Sequence, residues 1–293
     1  MFVRMDVSVI GMALLVGTGV VAGGLGALVG IGGGIVVVPV LVVGLGYDIR
    51  IAVATSLVAV VATSAAAGIA YADSGLTNVR LGLALEVPTT IGAIAGSLVA
   101  VSVAPSVIAG LFSVVMVVVS VLMWRHLDTH SLLPHDANSR TMSSPIASSL
   151  LRGTYSDRAT SRSVVYDPRR LGLGASISAI AGMLSGLLGV GGGFIKVPAM
   201  AMGMGVPIKA AAATSNFMVG ITAIASLVIY FARGYVQPIV VAPVSIGIVL
   251  GALFGSHATP RFSAVRVQRL LAMILLLVAI QMALEALGGE VYG

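Results

Sequence analysis

Ten apolar stretches, most of them near 20 residues long, constrain this chain more than any other feature. They run at about 7–29, 30–46, 51–71, 81–103 and 106–124, and again at about 172–189, 191–205, 210–232, 237–257 and 268–287. A helix of roughly 20 apolar residues is long enough to cross the hydrocarbon core of a bilayer. The composition demands that solvent: 58% of the 293 residues are hydrophobic and only 9% are charged, against roughly 25% charged in an ordinary soluble domain. Sixteen basic and ten acidic side chains cannot cover a soluble surface of this size. Spanning β-strands would be about 10 residues of alternating polarity, which the chain lacks. The expectation is an all-α integral membrane protein. The first stretch follows Met1-Phe2-Val3-Arg4-Met5-Asp6 and continues with no polar region behind a cleavage site, so it reads as a retained membrane segment.

The second constraint is internal duplication. Shifted by 159 residues, 23–97 aligns with 182–256 without a gap, with 25 identities in 75 positions. Gly32-Gly33-Gly34 falls on Gly191-Gly192-Gly193, Pro39 on Pro198, and Ala54-Thr55-Ser56 on Ala213-Thr214-Ser215. Tyr71 and Gly75 fall on Tyr230 and Gly234, and Gly92, Ala93, Gly96 and Ser97 on Gly251, Ala252, Gly255 and Ser256. Chance similarity among apolar segments does not hold one register over such a span. The chain therefore divides into a first membrane repeat (1–124), a polar linker (125–170) and a second membrane repeat (171–293). The linker holds seven Arg, many Ser, and Asp128, Asp136, Asp157 and Asp167, with a short surface helix expected near 146–152.

Five segments per copy is an odd number, and odd repeats insert in opposite orientations. With the linker in the cytoplasm, its seven Arg plus Arg80, Lys209, Arg261, Arg266 and Arg269 lie inside, while Arg4, Arg50 and Arg233 lie outside. Both termini are then external. Inverted-topology repeats of four to five helical segments are the architecture of many secondary transporters. In the second copy the arm Phe194–Gly205 is about 18 Å of helix at 1.5 Å per residue, too short for a core about 30 Å thick. The glycine-rich hairpins are therefore expected to be broken or re-entrant, lining a cavity or buried in protein.

The glycine runs have two readings. Gly30-Ile31-Gly32-Gly33-Gly34 and Gly189-Val190-Gly191-Gly192-Gly193 each open a short apolar helix. Consecutive glycines allow backbone shapes closed to other residues. They can leave amide N–H groups pointing at an anion, with the helix dipole behind them. They also let helices pack closely. Their occurrence in two equivalent copies favours an anion site.

These motifs carry a resemblance. G-[IV]-G-G-G followed by A-T-S, duplicated in a chain of about 300 residues, resembles the TauE/SafE family of sulfite exporters and related anion permeases, over nearly the whole chain apart from the linker. The resemblance implies a proton-linked or passive transporter of sulfite, thiosulfate or small organosulfonates, with no cofactor. The site expected from the residues comprises Gly32, Gly33, Gly34, Gly191, Gly192 and Gly193, with Thr55, Ser56, Thr214, Ser215 and Asn216 as hydrogen-bonding neighbours. The hydroxyls have a second reading, bonding back to carbonyls one turn earlier in their own helix. Lys196 stands three residues past the second glycine run, where the first copy has Val37. An ammonium within a bilayer either snorkels to the interface or faces a cavity and attracts an anion. Glu86, inside an apolar segment, and His257, at the end of the equivalent segment of the second copy, are the candidates for proton coupling.

Other classes fit less well. Net charge of +6 does not indicate nucleic acid, because the basic residues sit between apolar segments and aromatics are 5%. Cysteine is absent, which excludes disulfides, thiolate metal sites and Cys nucleophiles. His126, His130 and His135 are read as linker residues, not as a metal site. An intramembrane enzyme would need a recognisable nucleophile and base, and HExxH and GxSxG are missing. A membrane scaffold would give the broken helices no purpose. The glycine spacings 92–96 and 251–255 suit packing within one chain or between chains of a homo-oligomer. Arg outnumbers Lys, the pattern of a GC-rich prokaryotic genome, so the expected partners are a small sulfur-containing anion and the lipids of a prokaryotic plasma membrane.

Overall fold

A computed structural model describes residues 9–29, 34–72, 75–129, 151–157, 162–258 and 264–288. The first half comprises α1 (Val9–Val29), α2 (Gly34–Pro39), α3 (Ile49–Ala72), α4 (Val79–Ser102) and α5 (Pro105–Thr129). Two strands follow, β1 (Gly153–Asp157) and β2 (Arg162–Tyr166). The second half comprises α6 (Leu171–Leu188), α7 (Gly193–Pro198), α8 (Ile208–Ala232), α9 (Pro238–Ala258) and α10 (Ala264–Gly288). The 159-residue register extends beyond the aligned sequence: α5 and α10 begin and end at equivalent positions.

Among the described residues, four helices are long and apolar enough to cross a membrane: 79–102, 105–122, 171–188 and 208–232. They are apolar on every side, as a helix with no aqueous face must be. Helix α4 buries Leu81, Leu85, Thr89, Ala93 and Gly96, and turns Leu83, Val87, Ile91 and Leu98 outward. The arms α2 and α7 are different. Each has six residues and runs into a five-residue π-helical turn, Val40–Gly44 or Ala199–Gly203. Pro39 and Pro198 stand at the two junctions with helical φ of −60° and −63°. A proline inside a helix has no N–H to give and crowds the carbonyl four residues back. The wider π turn absorbs that defect. At about 16–17 Å, neither arm can span a core about 30 Å thick.

The two halves exchange partners. Helix α1 packs along α9 of the other half, and α6 packs along α4. Helices α3 and α8 meet each other, as do α5 and α10. Glycines make the exchanged contacts possible. A Cβ on Gly19 would lie 2.2 Å from the Val244 carbonyl oxygen, and one on Gly251 would lie 2.1 Å from that of Val20. On the other side, a Cβ on Gly92 would lie 2.0 Å from the Ala179 oxygen, and one on Gly182 would lie 2.0 Å from that of Thr89. Bilayers supply no hydrophobic drive between helices, so close backbone approach is what holds them. Gly92, Gly96 and Gly251 are thus used inside one chain.

The linker is less featureless than its composition suggests. The expected helix at 146–152 lies almost wholly outside the described residues. Residues 153–166 form an antiparallel hairpin, with Thr154 opposite Val165 and Tyr155 opposite Val164. Tyr155 and Tyr166 are buried in a cluster with Leu81, Leu85, Met200, Met204 and Met218. Burial pushes the Tyr166 phenol above its ordinary pKa, so it stays neutral. Asn78 Nδ2 donates to the Leu151 carbonyl at 2.9 Å, and the Arg169 N–H to that of Met204 at 3.0 Å. The hairpin thereby covers the end of the bundle where α4 and α8 begin. At the other end of α4, the Arg50 guanidinium donates to the carbonyls of Ala100 (3.4 Å) and Val103 (2.5 Å) and to the Tyr235 hydroxyl (3.2 Å).

Gly92→Ala should lower the melting temperature of the detergent-solubilised protein, since overpacking a close contact costs about 1–3 kcal/mol. Gly17→Ala, whose Cβ would meet nothing within 4 Å, should leave it unchanged or raise it. Equal melting of the two variants would show that glycine contact does not set the α4–α6 spacing.

Candidate functional site

Charge inside an apolar bundle requires a partner, and here the two halves supply one each. Lys196 on α7 is 1% exposed and Glu86 on α4 is 4% exposed. Lys196 Nζ lies 3.8 Å from Glu86 Oε2. Thr222 on α8 stands between them. Lys196 Nζ donates to Thr222 Oγ1 at 3.0 Å, and Thr222 Oγ1 donates to Glu86 Oε1 at 2.6 Å. Thr222 also has the Met218 carbonyl within 3.0 Å. Thr90, one turn beyond Glu86, donates to the same Oε1 at 3.3 Å. An ammonium offers three donors. Among the described residues Lys196 uses one in a hydrogen bond, and Glu86 Oε2 accepts none.

The second glycine run lies one helical turn from Lys196. Gly189, Gly191 and Gly192 have φ of 71°, 83° and 65°, the left-handed region that side chains disfavour. Gly189 ends α6 in this conformation, donating its N–H to the Ser185 carbonyl at 2.8 Å. Two hydroxyls flank the turn. The Ser215 Oγ lies 3.5 Å from where a Cβ on Gly193 would stand, and Ser185 Cβ lies 3.5 Å from that of Gly192. Both hydroxyls are buried and, among the described residues, have no hydrogen-bond partner. A buried polar group left unpaired costs about 1–3 kcal/mol, so each is a donor available to an acceptor that enters the turn.

Of the first glycine run, the described residues include Gly34. Gly32 and Gly33 lie outside the described residues. Gly34 is packed hard: a Cβ there would meet Val60, the Gly189 carbonyl and Ser56 Oγ within 2.8 Å. Ser56 Oγ lies 2.9 Å from the Gly34 oxygen and 2.7 Å from the Gly189 oxygen. It has one proton to give, and it holds the two glycine turns together. The matching residue of the second copy is the unpartnered Ser215.

Among the other expected residues, Thr55 donates back to Ile51 at 2.8 Å, within its own helix. Thr214 accepts from the Asn78 N–H at 3.0 Å and serves the start of α4. Asn216 is half-buried, and its backbone carbonyl accepts from Ser64. The His257 side chain lies outside the described residues. The structure therefore brings Lys196 to Glu86 through Thr222 and, two turns back along α8, brings Ser215 to Gly193 at the glycine turn. Sequence reasoning missed Thr222 and Ser185. Thr222 did leave a signal: it falls on an identical residue, Thr63, in the 75-position alignment at a shift of 159.

The family model of the sulfite exporters TauE/SafE matches residues 15–282, both membrane halves and the linker between them. Three curated proteins are similar over most of their length. A probable membrane transporter protein of Bacillus subtilis (strain 168), YunE, is 26% identical over 282 residues, covering 94% of this chain and 98% of that protein. A probable membrane transporter protein of Xylella fastidiosa (strain 9a5c) is 27% identical over 272 residues, covering 92% and 94%. The probable membrane transporter protein MJ0441 of Methanocaldococcus jannaschii is 25% identical over 248 residues, covering 82% and 80%. No solved structure matches.

Removing one partner of a buried ion pair leaves an uncompensated charge, at a cost of about 3–5 kcal/mol. Lys196→Met should therefore destabilise the protein strongly. Combining it with Glu86→Gln should recover most of the loss. Thermal melts of the two single variants and the double variant measure the coupling, and additive losses would show that the two groups do not interact.

Proposed function

We propose, for a chain that belongs to the sulfite exporter TauE/SafE family and is a membrane transporter of that type, that the cargo is a small sulfur oxyanion such as sulfite, thiosulfate or an organosulfonate. The protein works as a secondary transporter in a prokaryotic plasma membrane, in the exporting direction, and not as an enzyme. The observation that carries this reading is the buried Lys196 ammonium. It has donors to spare and sits one turn from a left-handed glycine turn flanked by two unpaired hydroxyls.

Oxyanions present several acceptor oxygens and full charge. Lys196 supplies the charge, Ser185 and Ser215 supply hydroxyl donors, and the Gly191–Gly193 turn lets the cargo approach the backbone. Gly34 of the first copy lies against the Gly189 carbonyl, and Ser56 ties the Gly34 and Gly189 carbonyls together. Thr55 bonds to Ile51 and Thr214 to Asn78, so they and Asn216 are assigned no cargo contact. Glu86 carries the proton, with His257 as the second candidate carrier. The halves act as inverted repeats that move against each other around the centre. Exchange of α1 and α6 between them supports this reading, as does the matched position of every helix.

Flux in proteoliposomes against a panel of oxyanions tests the cargo. Sulfite or thiosulfate should move and acetate should not, and equal flux of all three would overturn the assignment. Lys196→Met should weaken binding by about one to two powers of ten, the worth of a charge-assisted contact. Unchanged affinity would remove Lys196 from the site. Cysteines placed at Ser144 and Gly293 should label from opposite sides of the membrane. Labelling from the same side would exclude the inverted arrangement.

A further inference from the structure

The Glu86–Lys196 pair poses a problem for any cargo that binds Lys196. The ammonium already has a resident anion, 3.8 Å away and linked to it through Thr222. A second anion would leave two negative charges facing one positive charge, away from water. Uncompensated buried charge of that kind is heavily penalised. We propose that the cargo anion replaces Glu86 at Lys196 only when Glu86 has taken up a proton, so that one proton travels with each anion. This rests on the reading of Lys196 as the cargo contact.

The charge balance is simple. In the empty site, ammonium and carboxylate sum to zero. In the loaded site, ammonium, a monovalent cargo and a protonated Glu86 also sum to zero. The two half-filled states each carry one net charge: the intact pair plus cargo, or the ammonium with protonated Glu86 and no cargo. Moving a net charge through a low-dielectric interior costs far more than moving a neutral site. The empty and fully loaded forms therefore reorient, and the half-filled forms do not. The proton enters and leaves on a carboxylate oxygen, and no other bond is made or broken. The product of proton and anion concentrations on each side then sets the direction of transport.

Thr222 is the positioning residue for this exchange. With Glu86 ionised, its hydroxyl donates to Oε1 and accepts from Lys196. Once the carboxyl is neutral, the same hydroxyl has the Met218 carbonyl at 3.0 Å as its acceptor. The link to Glu86 can thus be released without leaving the hydroxyl unpaired. Few other charges compete here. Helix α6 has no ionisable side chain, α8 has Lys209 and Tyr230, and α4 itself adds Arg80. Tyr230 donates to the Gly186 carbonyl at 3.0 Å, and Tyr155 and Tyr166 of the hairpin rest in the apolar cluster below. Among the described residues, Lys196 is the one cation within 4 Å of the Glu86 carboxylate.

The experiment uses two monovalent anions that take up no proton near neutral pH, methanesulfonate and ethanesulfonate, on the purified full chain. Binding is read from thermal stabilisation. Wild-type affinity should fall by about tenfold per pH unit on the alkaline side, the slope for one linked proton. Glu86→Gln should lose this slope over the pH range in which the Lys196 ammonium keeps its proton. Glu86→Ser installs the residue found at the equivalent position of the second copy (Ser245) and should behave likewise, which guards against a folding defect in one variant. In proteoliposomes with a trapped pH dye, an imposed anion gradient should drive protons the same way in wild type. No protons should follow in Glu86→Gln. Anion flux in wild type without proton movement, or a pH slope that survives in both Glu86 variants, overturns the proposal. If wild type neither binds nor moves either anion, the cargo reading itself fails, and the coupling proposal fails with it.

Discussion

Close approach of glycine backbones is the contact on which the rest of this fold depends. Lipid tails are as apolar as leucine, so helices gain nothing by hiding leucines from them. The gain must come from packing, and packing is densest where no side chain intervenes. Gly19, Gly23, Gly247 and Gly251 provide it between α1 and α9, and Gly92, Gly96, Gly182 and Gly186 provide it between α4 and α6. Each pair joins one half of the chain to the other. Without those contacts α6 would not lie along α4, and Lys196, just beyond the turn that ends α6, would not reach Glu86.

The duplication sets two equivalent frameworks, but the chemistry is placed in only one. Lys196, Thr222 and Glu86 correspond to Val37, Thr63 and Ser245 in the 159-residue register. Val37 is fully buried in apolar surroundings. Thr63 donates within its own helix to Val60 at 3.1 Å. Only the threonine is shared, and it becomes a bridge only where the other two positions are charged. The serines diverge in the same way: Ser56 spends its proton on two glycine carbonyls, while Ser215 has no partner. Ser56 of the first half thus fixes the junction of Gly34 with Gly189, while Lys196 and Thr222 of the second half and Glu86 of the first hold the charges.

Much of this was legible in the sequence, for stated reasons. Length and hydropathy identify the helices, and the length of the second copy's arm, Phe194–Gly205, marks it as too short to span. Lys196 and Glu86 stand out because charge in an apolar segment is expensive. Their meeting was not legible. The residues are far apart in the chain, and a helix that is apolar on every side has no polar stripe to announce which face meets a neighbour. The exchange of α1 and α6 between halves leaves no mark in local periodicity. Hydroxyl roles were open for a similar reason: Thr55 bonds inside its own helix and Ser56 bonds across helices, although they are adjacent. The hairpin at 153–166 was hidden by its polar linker, although Tyr155, opposite Val164, and Tyr166, opposite Gly153, are buried in one apolar cluster.

The two ends of α4 are closed by unlike means, and the ion pair lies nearer one of them. At the hairpin end the closure is mainly apolar, two tyrosines over Leu81, Leu85 and three methionines, so parting it exposes nonpolar surface. At the other end it is a single guanidinium that holds the Ala100 and Val103 carbonyls and stacks on Tyr235, with 5.5 Å from its central carbon to the ring centroid. Water can replace guanidinium–carbonyl hydrogen bonds almost one for one, but it cannot replace the contacts of a buried phenol. Glu86 sits on the second turn of α4, on the apolar side of this divide. A path from the pair to the hairpin face is therefore short but must move a folded segment of the linker. A path to the Arg50 face runs along most of α4 but ends at a polar latch that water can open. The two ends of one duplicated scaffold are thus closed by different interactions.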